Sequence, residues 1–133
     1  MGISNVGGRD MMLRTGLLAL IATTAMISAA MADCRTMFVI FRLSQNESVS
    51  TTGISTGGSA CGINLRSDGL LHFTSVSIAA RPSNGTLTDL GAIRFRYKPR
   101  AGFKGVDRYS IRVCGKDNAG SGCATVTYNI TVQ

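Results

Sequence analysis

The sequence predicts an all-β protein, a sandwich of about seven strands. Between Ile93 and Val132, three runs alternate apolar and polar side chains, and glycine-rich loops join the runs. Such alternation is typical of strands that bury one face and expose the other. After residue 32, no segment has the periodicity of an amphipathic helix.

The first 32 residues have the composition of a secretory signal peptide. Arg9 and Arg14 give a positive start, and Leu17–Met31 is almost wholly apolar. Ala30-Met31-Ala32 has the small-x-small pattern that signal peptidase accepts. The apolar run falls short of the roughly 20 residues that span a bilayer, so we expect cleavage and no membrane span in the product. A retained amino-terminal anchor is the alternative.

The remaining chain, residues 33–133, is predicted to be one exported domain. The sequence carries a formal charge of +7, and the leader's two arginines and one aspartate leave +6 for the domain. All four cysteines lie in the domain: Cys34, Cys61, Cys114 and Cys123. An even number behind an export signal predicts two disulfides. The cysteines lack the close pairs of a zinc site, and we expect no metal or other cofactor.

The first half of the domain gives weaker strand signals than the second half. Thr36–Leu43 is rich in β-branched and aromatic residues, which indicates the first strand. The polar stretch 44–69 fits one or two short strands with long turns, or a mobile loop. Leu70–Ala79 predicts a strand whose alternation changes phase near Ser75, as a β-bulge would cause. Thr86-Leu87 begins a further short strand.

The alternation assigns inward and outward residues in the last three strands. In the first of them Ile93, Phe95 and Tyr97 point inward, and Pro99 ends the strand because it cannot donate to the ladder. The predicted core of the other two strands comprises Tyr109, Ile111, Val113, Ala124, Val126, Tyr128, Ile130 and Val132. Their predicted outward residues are Arg108, Ser110, Arg112, Cys114, Cys123, Thr125, Thr127 and Asn129.

Cys114 and Cys123 both fall on the outward side of neighbouring strands. If they face each other, Arg112 pairs with Thr125 and every inward residue meets an inward residue. The disulfide and the hydrophobic pattern then specify one register. Closing this short loop is expected to stabilise the fold by roughly 2–3 kcal/mol. Cys34–Cys61 follows by elimination and would tie the first strand to the polar stretch.

Part of the sequence resembles bacterial cadherin-like and immunoglobulin-like (Ig-like) surface repeats. The motifs that carry the resemblance are Gly85-Thr86-Leu87, Phe95-Arg96-Tyr97-Lys98-Pro99 and the run Gly102–Tyr109, followed by the alternating strand Ala124–Val132. They cover about residues 70–133 and occur in the family's order. The resemblance implies a Greek-key β-sandwich that serves as an adhesive or structural module. Such modules usually recur in tandem, whereas this chain has one copy.

Few residues suggest chemistry. Asp107 and Asp117 are weak candidates for calcium ligands, because calcium needs about six to eight oxygens and the acidic residues are scattered. We expect Asp107 instead to accept hydrogen bonds from the backbone amides of the loop 102–106. His72 is the only histidine and Glu47 the only glutamate, so neither a catalytic triad nor a glutamate pair is indicated. The sequence therefore predicts a protein that is not an enzyme.

Basic residues are concentrated between Arg81 and Lys116. The candidate face for an anionic ligand comprises Arg94, Arg96, Lys98, Arg108 and Arg112. Such a face attracts anionic polymers, and the alternative is a solvated face that blocks edge-to-edge aggregation. The two strands that carry these residues usually lie in opposite sheets of an Ig-like sandwich, which would divide the set. No exposed aromatic residues interleave with the charges, so nucleic acid is not an expected partner.

These features together predict a non-catalytic Ig-like module, secreted or periplasmic, with a binding, adhesive or structural role at the bacterial cell envelope. Its partner would be a protein or an envelope polysaccharide. The alternative is a basic protein that binds anionic envelope polymers, such as lipopolysaccharide, or nucleic acid by charge. We expect the domain to be monomeric.

Overall fold

The computed structural model describes residues 32–65 and 70–133. The predicted signal peptide, residues 1–32, lies outside this part except for its last residue. In the described part, no helix is long and apolar enough to cross a membrane. The strands of that part are β1 (Cys34–Thr36), β2 (Ser48–Ser55), β3 (Cys61–Asn64), β4 (His72–Ala80), β5 (Gly85–Gly91), β6 (Arg94–Pro99), β7 (Gly105–Asp117) and β8 (Gly120–Val132).

The strands form two sheets that share one core. The larger sheet has the order β1-β2-β8-β7-β4, and the smaller sheet has the order β3-β6-β5. The pairs are antiparallel except for β2 with β8, which is parallel. Buried apolar residues from both sheets belong to one cluster. The structure therefore confirms the predicted all-β, Ig-like sandwich, with eight strands in the described part where the sequence predicts about seven.

Three stacked tyrosines occupy the core between the sheets. Tyr97 on β6, Tyr109 on β7 and Tyr128 on β8 have successive ring centroids 5.1 Å apart. Aromatic pairs at this spacing stabilise the core beyond the burial of their surface. Burial raises the pKa of Tyr128 to about 12 and raises the pKa of the other two hydroxyls still further. All three rings are therefore neutral at physiological pH.

The β7–β8 hairpin has the register that the alternation predicts. Arg112 lies opposite Thr125, and Cys114 lies opposite Cys123. The predicted core residues of both strands are buried. At the turn, the Oδ1 atom of Asp117 accepts hydrogen bonds from the amides of the second and third residues after it, at 2.9 and 3.1 Å. Side-chain pattern and turn chemistry thus agree along the whole hairpin.

The first strand is shorter than the predicted Thr36–Leu43. β1 ends at Thr36. The last backbone hydrogen bond between this segment and β2 joins the Met37 amide to the Thr52 carbonyl at 2.9 Å. Within the described residues, the backbone of residues 38–41 forms no hydrogen bond. The prediction was wrong because β-propensity is a local property, whereas a strand requires a neighbouring backbone.

A bulge in β4 and a turn before β6 are the next features that the sequence bears on. β4 has the predicted bulge, seen as a register shift between Phe73 and Ser75. Ile93, which is predicted to open β6 on its inward side, lies instead in the β5–β6 turn with φ 56°. Ala92 before it has φ 50°. With Gly91, which has φ 76°, three successive left-handed residues form the turn, and β6 therefore begins at Arg94.

The segment before β2 is clamped onto the end of the hairpin. The Oδ2 atom of Asp117 accepts hydrogen bonds from the Ser44 amide at 2.9 Å and from the Ser44 hydroxyl at 2.7 Å. The Cys123 amide donates to the Oδ1 atom of Asn46 at 3.0 Å. These bonds hold two regions together that are more than 70 residues apart in the chain.

Candidate functional site

The five predicted basic residues lie on two different faces of the sandwich. Arg94, Arg96 and Lys98 are on β6 in the smaller sheet, whereas Arg108 and Arg112 are on β7 in the larger sheet. All five are exposed. Because the two sheets pack through their inner faces, their outer faces point in opposite directions. The structure therefore brings the first three together and separates them from the other two.

Arg94, Arg96 and Lys98 form a row that we name the β6 stripe. β6 is the central strand of the smaller sheet, so the stripe runs along the middle of that sheet's outer face. Successive side chains of the stripe are about 6.6 Å apart along the strand. The residues paired with the stripe are Asn64 and Gly62 on β3 and Gly91, Thr88 and Thr86 on β5. These small neighbours leave the three cationic side chains accessible.

No carboxylate neutralises the β6 stripe within the described chain. The ion pair among the described residues lies in the other sheet, where Arg35 of β1 contacts Asp33 at 2.7 Å. Lys98 donates a hydrogen bond to the carbonyl of Gly58 at 2.6 Å, which leaves its charge uncompensated. Neighbouring cations without counterions raise the local potential and favour a bound anion.

The outer face of the larger sheet is rich in hydroxyl groups, of which the sequence analysis assigned only those on β7 and β8. Arg112 lies between Ser77 and Thr125, and the Nε atom of Arg108 donates to the Oδ1 atom of Asn129 at 2.8 Å. The hydroxyl residues of this face include Ser48, Ser50, Thr52, Ser75, Ser77, Ser110, Ser121, Thr125, Thr127 and Thr131. The available signal was serine or threonine at alternate positions of SVSTT and TVTYNIT. The face also carries the exposed cations Arg108, Arg112 and Lys116 among these hydroxyl groups.

Asp107 is a buried hydrogen-bond acceptor at the start of β7, with 2 % of its surface exposed. Its two oxygens accept hydrogen bonds from the amides of Ser83 and Asn84 at 3.0 and 3.1 Å and from the Tyr97 hydroxyl at 2.9 Å. The prediction that it caps the loop 102–106 was therefore wrong. The turn between β4 and β5 packs across β7 and supplies the amides instead.

Asp117 occupies the other end of β7. Hydrogen bonds from the Ser44 amide and hydroxyl, with those from the turn amides, lower the pKa of Asp117 to about 2. Along the strand, Asp107 and Asp117 are about 33 Å apart. Each carboxylate already accepts several protein hydrogen bonds, and the distance prevents them from sharing one ion. The structure thus offers no support for a calcium site built on this pair.

His72 lies exposed at the start of β4. Its register partner on β7 is Lys116. The strand pairing thus places a cation beside the imidazole, where a catalytic triad would need a carboxylate.

The four cysteines form two disulfides, Cys34–Cys61 and Cys114–Cys123. The second joins β7 to β8 on the outer face, with Cα atoms 4.0 Å apart. The first joins β1 in the larger sheet to β3 in the smaller sheet, with Cα atoms 5.2 Å apart. One bond thus reinforces a hairpin, and the other links the two sheets at their edge.

Comparison with known proteins identifies the fold family. No curated protein matches the chain. The family model for the bacterial Ig domain matches residues 40–131, which include β2 to β7 and nearly all of β8. The β6 stripe and both acidic candidates fall inside the match, whereas β1 and Cys34 precede it. This protein belongs to the bacterial Ig domain family.

Proposed function

We propose that this protein is an exported, non-catalytic module with a binding, adhesive or structural role at the cell envelope. Bacterial Ig domains are surface modules of the adhesion type and are generally not enzymes. The observation that carries the proposal is the pair of disulfides that staple the sandwich. Disulfides form and persist in oxidising compartments outside the cytoplasm.

Expression of the full chain in a bacterial host with a periplasm tests this proposal. We expect the protein in the periplasm or the medium, with its amino terminus at residue 33 and no free thiols. Cell fractionation gives the location, and mass spectrometry of the purified protein before and after reduction gives the amino terminus and the state of the thiols. Reduced protein that remains in the cytoplasm with its leader attached would contradict the proposal.

The β6 stripe favours a second candidate function, binding of an anionic envelope polymer. In the part of the chain that the structure describes, three cations without counterions lie in a row on an open sheet face. A linear polyanion places charges at regular intervals, so it can meet all three at once. The small residues beside the stripe include no aromatic side chains for base stacking, which favours a polysaccharide or lipopolysaccharide over nucleic acid.

Retention on immobilised heparin, a model polyanion, tests the β6 stripe with matched charge variants. The double substitution Arg94→Gln/Arg96→Gln is expected to lower the salt concentration at which the protein elutes. Arg108→Gln/Arg112→Gln removes the same charge from the opposite face and is expected to change elution much less. Equal shifts for the two variants would show that net charge alone causes retention. Salt-insensitive binding would also contradict the charge-based function.

A further inference from the structure

The disulfide Cys114–Cys123 lies on the outer face of the larger sheet, where solvent reaches it. Both cysteines are half-buried, and neither belongs to the apolar core that the described residues form. In Cys34–Cys61, by contrast, Cys61 is 1 % exposed and Cys34 packs against the core. Exposed disulfides exchange with thiols more readily than buried ones. The two bonds of the domain therefore differ in their access to a dissolved thiol.

Cationic side chains flank Cys114 on the same face of β7. Arg112 lies two residues before it and Lys116 two residues after it, so each is about 6.6 Å away along the strand. Both are exposed. Their partners across the sheet add no acid, since Lys116 pairs with His72 and Arg112 with Thr125. Partly exposed cysteines in positive surroundings are the reactive ones, because cations attract and stabilise a thiolate.

The described carboxylates nearest to this disulfide are engaged by other groups. Asp117 follows Lys116 directly, but its oxygens accept hydrogen bonds from Ser44 and from the amides of the turn. Glu47 precedes β2, and its carboxylate accepts the Arg42 amide at 2.8 Å. Neither carboxylate forms an ion pair with a cation beside Cys114 in the described part of the chain. The positive charge at this disulfide therefore remains available to an approaching anion.

The charges beside the other disulfide cancel. Asp33 and Arg35 stand on either side of Cys34 and contact each other at 2.7 Å. A thiolate that approaches Cys34 therefore meets a neutral pair and not two cations. Burial and charge thus both favour Cys114–Cys123 as the bond that an anionic thiol opens.

The surroundings of the two sulfurs favour attack on Cys123. The attacking thiolate lies in line with the S–S bond, and the far sulfur leaves. Ser75 of β4 is paired with Cys114 and stands on the approach to that sulfur. Beside Cys123 β2 has not yet begun, since it starts at Ser48, and the exposed turn residue Asn46 lies there instead. Attack on Cys123 also leaves the new negative charge on Cys114, between the two cations.

We propose that Cys114–Cys123 is a thiol–disulfide exchange site that takes small anionic thiols. The thiolate sulfur bonds to the Cys123 Sγ atom, the S–S bond breaks, and its electron pair leaves on the Cys114 Sγ atom as a thiolate. The product is a folded domain that carries the thiol on Cys123, because the alternation of β7 and β8 specifies the same register without the bond. When the Cys114 thiolate attacks Cys123 in return, it expels the thiol and restores the disulfide without a further oxidant.

Exchange with two small thiols of opposite charge tests the site. The purified protein, with both disulfides formed, is incubated at low ionic strength with anionic 2-mercaptoethanesulfonate or with cationic cysteamine. Free thiols are alkylated at early times, and peptide mapping by mass spectrometry locates them. With the anionic thiol we expect the adduct on Cys123 and the alkylated thiol on Cys114. Cys114–Cys123 should open about tenfold or more faster than Cys34–Cys61.

Matched charge variants test the role of the cations. The measured quantity is the rate with the anionic thiol divided by the rate with the cationic thiol, because this ratio cancels the intrinsic reactivity of each thiol between variants. Arg112→Gln/Lys116→Gln is expected to lower the ratio about threefold or more. Arg94→Gln/Arg96→Gln removes the same charge from the opposite face and should leave the ratio almost unchanged. Hydrogen exchange on the adduct should show the hairpin amides still protected.

Several outcomes would overturn the proposal. They are opening of Cys34–Cys61 first or at the same rate, an adduct on Cys114 in place of Cys123, equal ratios for the two variants, and loss of protection throughout the hairpin of the adduct. The last result would mean that exchange occurs only in unfolded protein. Because the test starts from purified oxidised protein, its result is independent of where the cell places the chain, and the proposed export stands or falls separately.

Discussion

The carboxyl-terminal hairpin and the amino-terminal segment share a side-chain pattern but differ in structure. β7 and β8 each have 13 residues and pair with each other along their whole length. They also have β4 and β2 on their outer sides. Residues 37–43 turn alternate side chains to the core as well, yet they form no ladder with any described strand after Met37. Alternation therefore indicates burial, and a neighbouring backbone decides whether the segment becomes a strand.

The two regions also differ in what restrains them. The register of the hairpin is specified by alternation, by its turn and by Cys114–Cys123. The amino-terminal segment depends on Cys34–Cys61 near one end and on the bonds between Ser44 and Asp117 near the other. Loss of one restraint should therefore leave the hairpin intact but release the segment.

Removal of the disulfides has the largest expected effect. The bridged residues are 27 positions apart in Cys34–Cys61 and 9 apart in Cys114–Cys123. Loop-closure entropy then predicts that serine pairs lower the free energy of unfolding by about 3.6 and about 2.6 kcal/mol, respectively. Urea denaturation measures both values.

Hydrogen exchange on the same two variants separates the regions. Without Cys114–Cys123, the amides of the hairpin should stay protected, because the hydrophobic pattern still fixes its register. Without Cys34–Cys61, the amides of β1 should lose protection, because only three residues pair it to β2. Protection lost in the hairpin but kept in β1 would show that the hairpin, and not the amino-terminal segment, depends on a single restraint.

Gly122→Ala is the next largest change. Gly122 lies against Leu43, and a Cβ atom there would overlap the Leu43 carbonyl oxygen. Either the hairpin or the segment must move, and the free energy of unfolding should fall by about 2–3 kcal/mol. Gly62→Ala is the matched control, because a Cβ at Gly62 meets no atom within 4 Å. A stability loss in the control as large as that for Gly122→Ala would contradict the steric explanation.

Asp107→Asn tests the base of the hairpin. The carboxylate accepts hydrogen bonds on both oxygens, whereas an amide has one accepting oxygen and would turn an NH₂ group toward a donor. The expected loss of stability is about 2 kcal/mol. Tyr97→Phe removes one donor to the same group and should cost about 1 kcal/mol. Chemical denaturation measures both losses. If Tyr97→Phe lowered the stability more than Asp107→Asn, the Tyr97 hydroxyl would matter through more than its hydrogen bond to Asp107.

These contacts show which parts of the molecule the sequence could predict. The hairpin was predictable because its strands are adjacent in the chain and each has its own alternation. The partners of Asp107 and Asn46 were not, because they lie 24 and 77 residues away, and no local pattern encodes such pairings. The outward direction of the β6 stripe followed from alternation. The exposure of residues 38–41 did not, because their apolar side chains signal a strand without showing that no other described strand pairs with it.

The smallest expected effect concerns the bonds that join the two regions at Asp117. In the folded protein the pKa of this carboxyl group is about 2, whereas an unfolded chain has a value of about 3.9. The unfolded state therefore takes up the proton first as the pH falls. The stabilisation is present above about pH 4 and is lost as the pH falls toward 2.

Asp117→Asn should flatten the pH dependence of the unfolding temperature between about pH 4 and pH 2, because the substituted residue does not titrate. Asp89→Asn is the control, since Asp89 accepts one amide from two residues away and holds no distant segment. Ser44→Ala keeps the amide donor but removes the hydroxyl donor, and should give an intermediate slope. If Asp117→Asn retained the full slope, the acid sensitivity would arise elsewhere, and these bonds would not be what holds the segment to the hairpin at neutral pH.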